Sequence, residues 1–115
     1  MPSSNPILVL TRQAAADMTG ARAVTFANGY PASNGARVMG VIFSTGVASG
    51  DFFPVVVAGT VPVESGAAIP DGSEVIADTQ GRAIPATGTA GEQVFADALM
   101  PAAQSGQYVN VLLRR

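Results

Sequence analysis

The stretch Ser49-Gly50-Asp51-Phe52-Phe53-Pro54-Val55-Val56-Val57-Ala58-Gly59-Thr60-Val61-Pro62-Val63 decides what kind of fold this chain can adopt. It opens on a turn signal, runs through aromatic and β-branched residues, pauses at Gly59 and resumes. Such side chains suit a pleated, half-buried surface better than a helix. Two strands are predicted, over residues 52–58 and 60–63. In the first, Phe53, Val55 and Val57 share one face and Phe52, Pro54 and Val56 the other. Apolar residues on both faces leave two readings: a strand buried twice, or one core face and one face packed against a partner.

The same texture extends outward in both directions. The chain has nineteen Val and Ile against five Leu, a bias toward strands. Gly and Pro act as punctuation: Asn28-Gly29, Asn34-Gly35, Ser65-Gly66, Asp71-Gly72, Gln80-Gly81, Thr87-Gly88 and Ser105-Gly106 all read as turns. Further strands are predicted over residues 7–10, 21–26, 37–43, 74–77, 82–84, 94–99 and 108–113. In the last, Val109, Val111 and Leu113 face one way and Tyr108, Asn110 and Leu112 the other. In the second, Val24 and Phe26 share a face with Arg22. Short strands with regularly spaced turns indicate a sandwich or barrel. The expectation is an all-β fold, a small β-sandwich or barrel with a jelly-roll-like arrangement possible. Residues 11–18, led by Thr11, are expected to form a short helix or irregular turn stopped at Thr19-Gly20. Residues 95–100 read equally as strand or helix.

A length of 115 residues suits one domain. Residues 1–10 read as an extended N-terminal arm and 11–115 as a single β domain. The arm ends in Ile7-Leu8-Val9-Leu10, an apolar run that could add a strand to a neighbour's sheet or serve as the first core strand. Charged residues make up only 12% of the chain, about half the usual share. A surface that poor in charge is weakly protected against association.

The composition also excludes chemistry. There is no Lys, His, Cys or Trp, and the net charge is −2. Six scattered arginines and an acidic balance make a poor nucleic-acid binder. Without Cys and His the commonest metal ligands and nucleophile–base pairs are missing. Without Lys a phosphate-binding Gly-Lys-Ser/Thr loop cannot occur. Asp78-Thr79-Gln80 lacks the Gly of an aspartic-protease Asp-Thr-Gly and makes a turn more simply. Asp71, Glu74 and Asp78 lie close in sequence, as Ca²⁺ ligands or a glycosidase pair would. Asp71 is better explained as the turn residue of Pro70-Asp71-Gly72, and the other two as strand ends. No apolar run approaches a membrane span or a signal peptide. The expectation is a protein that is not an enzyme, needs no cofactor or metal, and contacts neither nucleic acid nor membrane.

A longer pattern runs through most of the chain. It comprises 19–26; Gly40-Val41; 48–63; Ala67-Ala68-Ile69-Pro70-Asp71-Gly72-Ser73-Glu74-Val75; Asp78-Thr79-Gln80-Gly81-Arg82-Ala83; Ala98-Leu99; and Gly106-Gln107-Tyr108-Val109-Asn110-Val111-Leu112-Leu113. In that order and spacing it resembles the capsid decoration, or cement, proteins of tailed bacteriophages. It departs from them at Phe95-Ala96-Asp97-Ala98-Leu99, where a Gly often precedes Ala-Leu. The resemblance implies a virion protein, made in the bacterial host cytoplasm, that sits on the outer surface of an icosahedral head. It implies partners in the major capsid protein and in its own copies, as a homodimer or homotrimer at local symmetry axes. It implies that neighbouring capsid subunits are bridged and the expanded shell stabilised. It carries over no catalytic or binding residue. From the residues themselves, the candidates for partner contact are Ile7, Leu8, Val9, Leu10, Phe52 and Phe53. A small-ligand or glycan-binding β module is the alternative, disfavoured because Tyr30 and Tyr108 are the only tyrosines and Trp is absent. An accessory domain of an enzyme is a third reading.

Overall fold

The computed structural model describes residues 5–44 and 46–114. Ten strands follow in chain order: β1 (Asn5–Gln13), β2 (Met18–Thr19), β3 (Ala23–Val24), β4 (Gly40–Ile42), β5 (Gly46–Val47), β6 (Phe52–Glu64), β7 (Glu74–Ala77), β8 (Ala83–Pro85), β9 (Ala96–Ala98) and β10 (Tyr108–Leu113). No helix occurs among the described residues. Eight strands form one antiparallel sheet in the order β3-β4-β6-β10-β9-β7-β8, with β1 also paired to β6; β2 and β5 form a separate two-stranded piece. The two ends of the path come back toward each other. The Ala23 N–H donates to the Gly81 carbonyl at 2.6 Å, and Ser65 bridges to Ala83 beside β8. The sheet is a nearly closed barrel, an all-β fold as expected.

The deciding stretch forms one strand rather than two. Gly59 sits at φ 98°, a conformation that side chains resist, and the strand runs through it without breaking, while the β1–β6 register slips beside it, between Pro6 and Leu8 and again between Leu8 and Val9. The alternation reverses across this irregular stretch. Val56 lies in the barrel interior before Gly59, and Val61 and Val63 lie in it afterwards, with Val41, Val75, Ala96, Val109 and Val111. A second core lies on the other side of β6, where Phe53, Val55 and Val57 pack with Ala14, Met18, Val24, Met39 and Ile42. At Val55, Val56 and Val57, β6 is therefore buried on both faces. β1 and β4 reach it from opposite edges, since both pair with Val55 and Val56. Gly40 is required where β4 meets β6, because a Cβ there would fall onto the Val56 carbonyl oxygen.

Of the short helix or irregular turn expected over residues 11–18, the helix is not formed; strand gives way to an irregular stretch after Gln13. Thr11, Arg12 and Gln13 continue β1 opposite Pro54, Phe53 and Phe52. The Ala14 and Ala15 N–H groups then donate to the carbonyls of Asp51 (2.8 Å) and Asn28 (3.1 Å). Distant carbonyls have taken both donors, of which a helix capped by Thr11 would have used that of Ala15 internally. The ambiguous segment near 95–100 is strand β9, paired with β10 and β7. The strand expected over 21–26 shrinks to Ala23–Val24, and Phe26 turns outward beneath the Arg37 guanidinium, 4.8 Å from its ring centroid.

Candidate interaction surface

Four expected contact residues are exposed on β1 and the start of β6, though not all on one face. The expected arm of residues 1–10 lies in part outside the described residues; from Asn5 onward it forms β1, paired antiparallel with the chain's own β6. The backbone of Ile7 belongs to β1, and its side chain lies outside what is described. Leu8, Val9 and Leu10 are exposed by 49%, 43% and 37%. Phe52 is 72% exposed, whereas Phe53 is 2% exposed and belongs to the second core. Phe53 has no surface to offer a partner, and its place in the contact set falls away. One residue of offset decides this, because neighbours along a strand face opposite ways.

The ladder shows which exposed side chains share a face. Val9 stands opposite Val56, Thr11 opposite Pro54, and Gln13 opposite Phe52. On the other edge Val41 stands opposite Val56, and the Phe43 N–H donates to the Pro54 carbonyl at 3.0 Å. Directly paired residues point to the same side of a sheet. Val9, Phe43, Phe52 and Pro54 therefore line one face, drawn from three adjacent strands. Leu10, opposite Val55, lies on the reverse face. The patch carries no charged side chain. Arg12, the charged residue of β1, lies on the other face and is turned back onto the loop beside it, donating to Asn28 Oδ1 at 2.8 Å and to the Phe26 carbonyl at 3.2 Å.

A second outward row lies on β9 and β10, where Val109 and Val111 fill the interior and Tyr108 and Leu112 stay exposed. Leu99 is exposed beside them, its N–H bonded to the Asn110 carbonyl. Asn110 Oδ1 on this face has no hydrogen-bond partner among the described residues. The alternation of residues 108–113 announced that row. Phe43 was missed as a contact residue because nothing in its own neighbourhood reveals that it flanks Pro54.

The charged groups serve local structure. Arg22 donates to Glu64 and to the Gln80 carbonyl. Asp78 is buried and accepts from the Gln80 and Arg82 N–H groups and from Arg82 Nε, which closes its turn. Glu74 and Asp97 both meet Arg114 at 2.7 Å. The hydrogen bond from Arg114 holds the Asp97 carboxyl below its ordinary range and raises Arg114 itself. Glu92 accepts from the Thr87 hydroxyl, first among the causes that lower it, and from the Thr87 and Gly88 N–H groups. Glu74 and Asp78 thus serve separate ion pairs. Among the described residues no group of three or more metal-ligating side chains converges.

No curated protein matches this sequence. Among solved structures, the N base of head fiber gp8.5 from bacteriophage phi29 has the same fold, with a TM-score of 0.73 and 22% identity over 93% of each chain. The pattern of the phage cement proteins matches residues 2–114. That match spans nearly the whole chain, and the protein therefore belongs to the phage cement protein family, structural proteins of the phage capsid.

Proposed function

We propose that this protein binds the outer surface of an icosahedral phage head, bridges neighbouring major-capsid-protein subunits and stabilises the expanded shell. The observation that carries this reading is Phe52: a large aromatic ring, 72% exposed, on a sheet face shared with Val9, Phe43 and Pro54. Exposed apolar patches on a small protein mark interaction sites when they are contiguous, and aromatic residues anchor interfaces. Leu8 and Val9 extend the exposed apolar surface along β1, and Leu10 is exposed on the reverse face. A strand at a sheet edge can also accept a further strand from a partner. The row of Leu99, Tyr108 and Leu112 is the candidate for contact with a second copy, in a dimer or trimer at a local symmetry axis.

The mechanism is one of linkage. A protein bound across a seam stabilises the joined subunits by its binding free energy and adds nothing to the separated ones. Several copies held together bind with a high effective concentration, so modest contacts give durable attachment. A preformed β surface loses little conformational entropy on docking.

The test is occupancy on expanded, empty heads. Phe52→Asp leaves the fold intact, because the ring makes no core contact, and is expected to lower occupancy sharply while the melting temperature stays unchanged. Full occupancy by a folded Phe52→Asp variant would overturn the assignment of this face. Failure of the unmodified protein to bind heads at all would overturn the reading itself.

A further inference from the structure

Two Asn-Gly pairs lie close together, Asn28-Gly29 and Asn34-Gly35, and the fold treats them differently. Such a pair can react with itself. The glycine's backbone nitrogen adds to the asparagine's side-chain carbonyl carbon, ammonia leaves, and water opens the resulting five-membered imide to aspartate or to its β-linked isomer. The nitrogen has to be free to shed its proton and approach. The carbonyl oxygen has to carry negative charge as the new bond forms.

At Asn34 the nitrogen is not free. The Gly35 N–H donates to the Ala77 carbonyl at 2.8 Å, and its own carbonyl accepts from the Gln93 N–H at 2.8 Å. Gly35 is buried, with Glu92 Cγ 3.0 Å from where a Cβ would stand. At Asn28 the nitrogen is free and the oxygen has a cationic donor. Among the described residues the Gly29 N–H makes no hydrogen bond, and nothing lies within 4 Å of where its Cβ would be. Arg12 Nε donates to Asn28 Oδ1 at 2.8 Å. That places a cationic donor on the atom that becomes the oxyanion, the arrangement that stabilises acyl-transfer intermediates. Asn28 also stands at φ 65°, a left-handed conformation that a residue with a Cβ adopts at a cost.

We propose that Asn28 is a site of spontaneous modification, converted through an imide with Gly29 while Asn34 is spared. The Gly29 N–Cγ bond forms and the Cγ–Nδ2 bond breaks. The Gly29 proton departs with the amide as ammonia, and one water is consumed in opening the ring. The aspartate product adds a negative charge facing Arg12, which strengthens that contact. The β-linked product lengthens the backbone by one methylene. It disturbs the bonds from Thr25 N–H to the Gly29 carbonyl (2.9 Å) and from Ala15 N–H to the Asn28 carbonyl (3.1 Å), by which this loop holds the end of β1. The inference stands independently of head binding.

The whole folded protein is held at mildly alkaline pH, sampled over time and cleaved after arginine. Residues 23–37 come away as one peptide carrying both asparagines, so each is the other's control. Fragment masses locate the amide-to-acid exchange. Conversion at Asn28 is expected to outpace Asn34 by roughly tenfold, the effect of one backbone hydrogen bond that must first break. In the denatured chain the two rates converge. Arg12→Gln is expected to slow Asn28 and leave Asn34 unchanged. Equal rates in the folded protein, or a faster rate at Asn34, would overturn the proposal, and a faster Asn28 in the Arg12→Gln variant would overturn the part given to Arg12.

Discussion

The barrel holds its two sides by different means. Beside the start of β6, β1 is attached by a long backbone ladder, yet Leu8, Val9 and Leu10 remain exposed and Phe52 stands clear of the core. Across the barrel, β7 and β9 are much shorter, and Arg114 ties them together through Asp97 and Glu74. The first side is apolar and its arginine is turned away. The second is stitched by charges. Edge strands of monomeric proteins are commonly guarded by charge against association. The contrast teaches that the exposed apolar surface beside β1 and the start of β6 has no guarding charge, whereas the exposed row of Leu99, Tyr108 and Leu112 lies next to the Arg114 ion pairs.

The sharpest way to break the comparison is to exchange the roles of Phe52 and Phe53. Phe53→Ala empties part of the second core and is expected to cost about 3–5 kcal/mol in chemical denaturation. A loss no larger than that of Phe52→Ala would mean that the two rings are not distinguished as described. Gly40→Ala forces a methyl against the Val56 carbonyl and should cost about 1–3 kcal/mol, read from the same unfolding curves. Phe52→Asp should move stability by no more than about 0.5 kcal/mol, since it changes a surface residue. Its effect belongs to binding alone.

The smallest effects lie on the charged side. Asp97 and Glu92 both titrate below the ordinary carboxylate range, the first chiefly through Arg114 and the second chiefly through the Thr87 hydroxyl. The folded state therefore binds fewer protons than the unfolded chain. The stabilisation is complete above the ordinary carboxylate range and is lost as pH falls through the lowered values. Arg114→Ala should slightly lower the thermal midpoint at neutral pH and flatten the acid dependence due to Asp97, leaving that of Glu92. Added salt should shrink the difference between variant and parent. A midpoint that is equally acid-sensitive in both proteins would remove Arg114 as the cause.

Much of the strand content was legible because alternation is a local property. Residues 74–77 and 108–113 match β7 and β10. The grouping of Phe53 with Val55 and Val57 holds through the second core. The helical reading of residues 11–18 fails for a clear cause. Helix propensity is local, but the carbonyls of Asp51 and Asn28 that claim the donors of Ala14 and Ala15 are distant in sequence. Gly59 reads locally as a stop, yet the strand runs through it because β1 and β10 continue the ladder on either side of it.

The amino-acid sequence by itself determined that the chain is all-β and poor in charge, lacks the side chains of most catalysts, and carries apolar residues on both faces of its longest strand. Only the tertiary structure decided which of two adjacent phenylalanines is core and which is surface, and that Phe43 joins Phe52 and Val9. The physical reason is that alternation along a strand assigns residues to two faces without naming the inner one; that choice is made by whichever distant segments come to cover it.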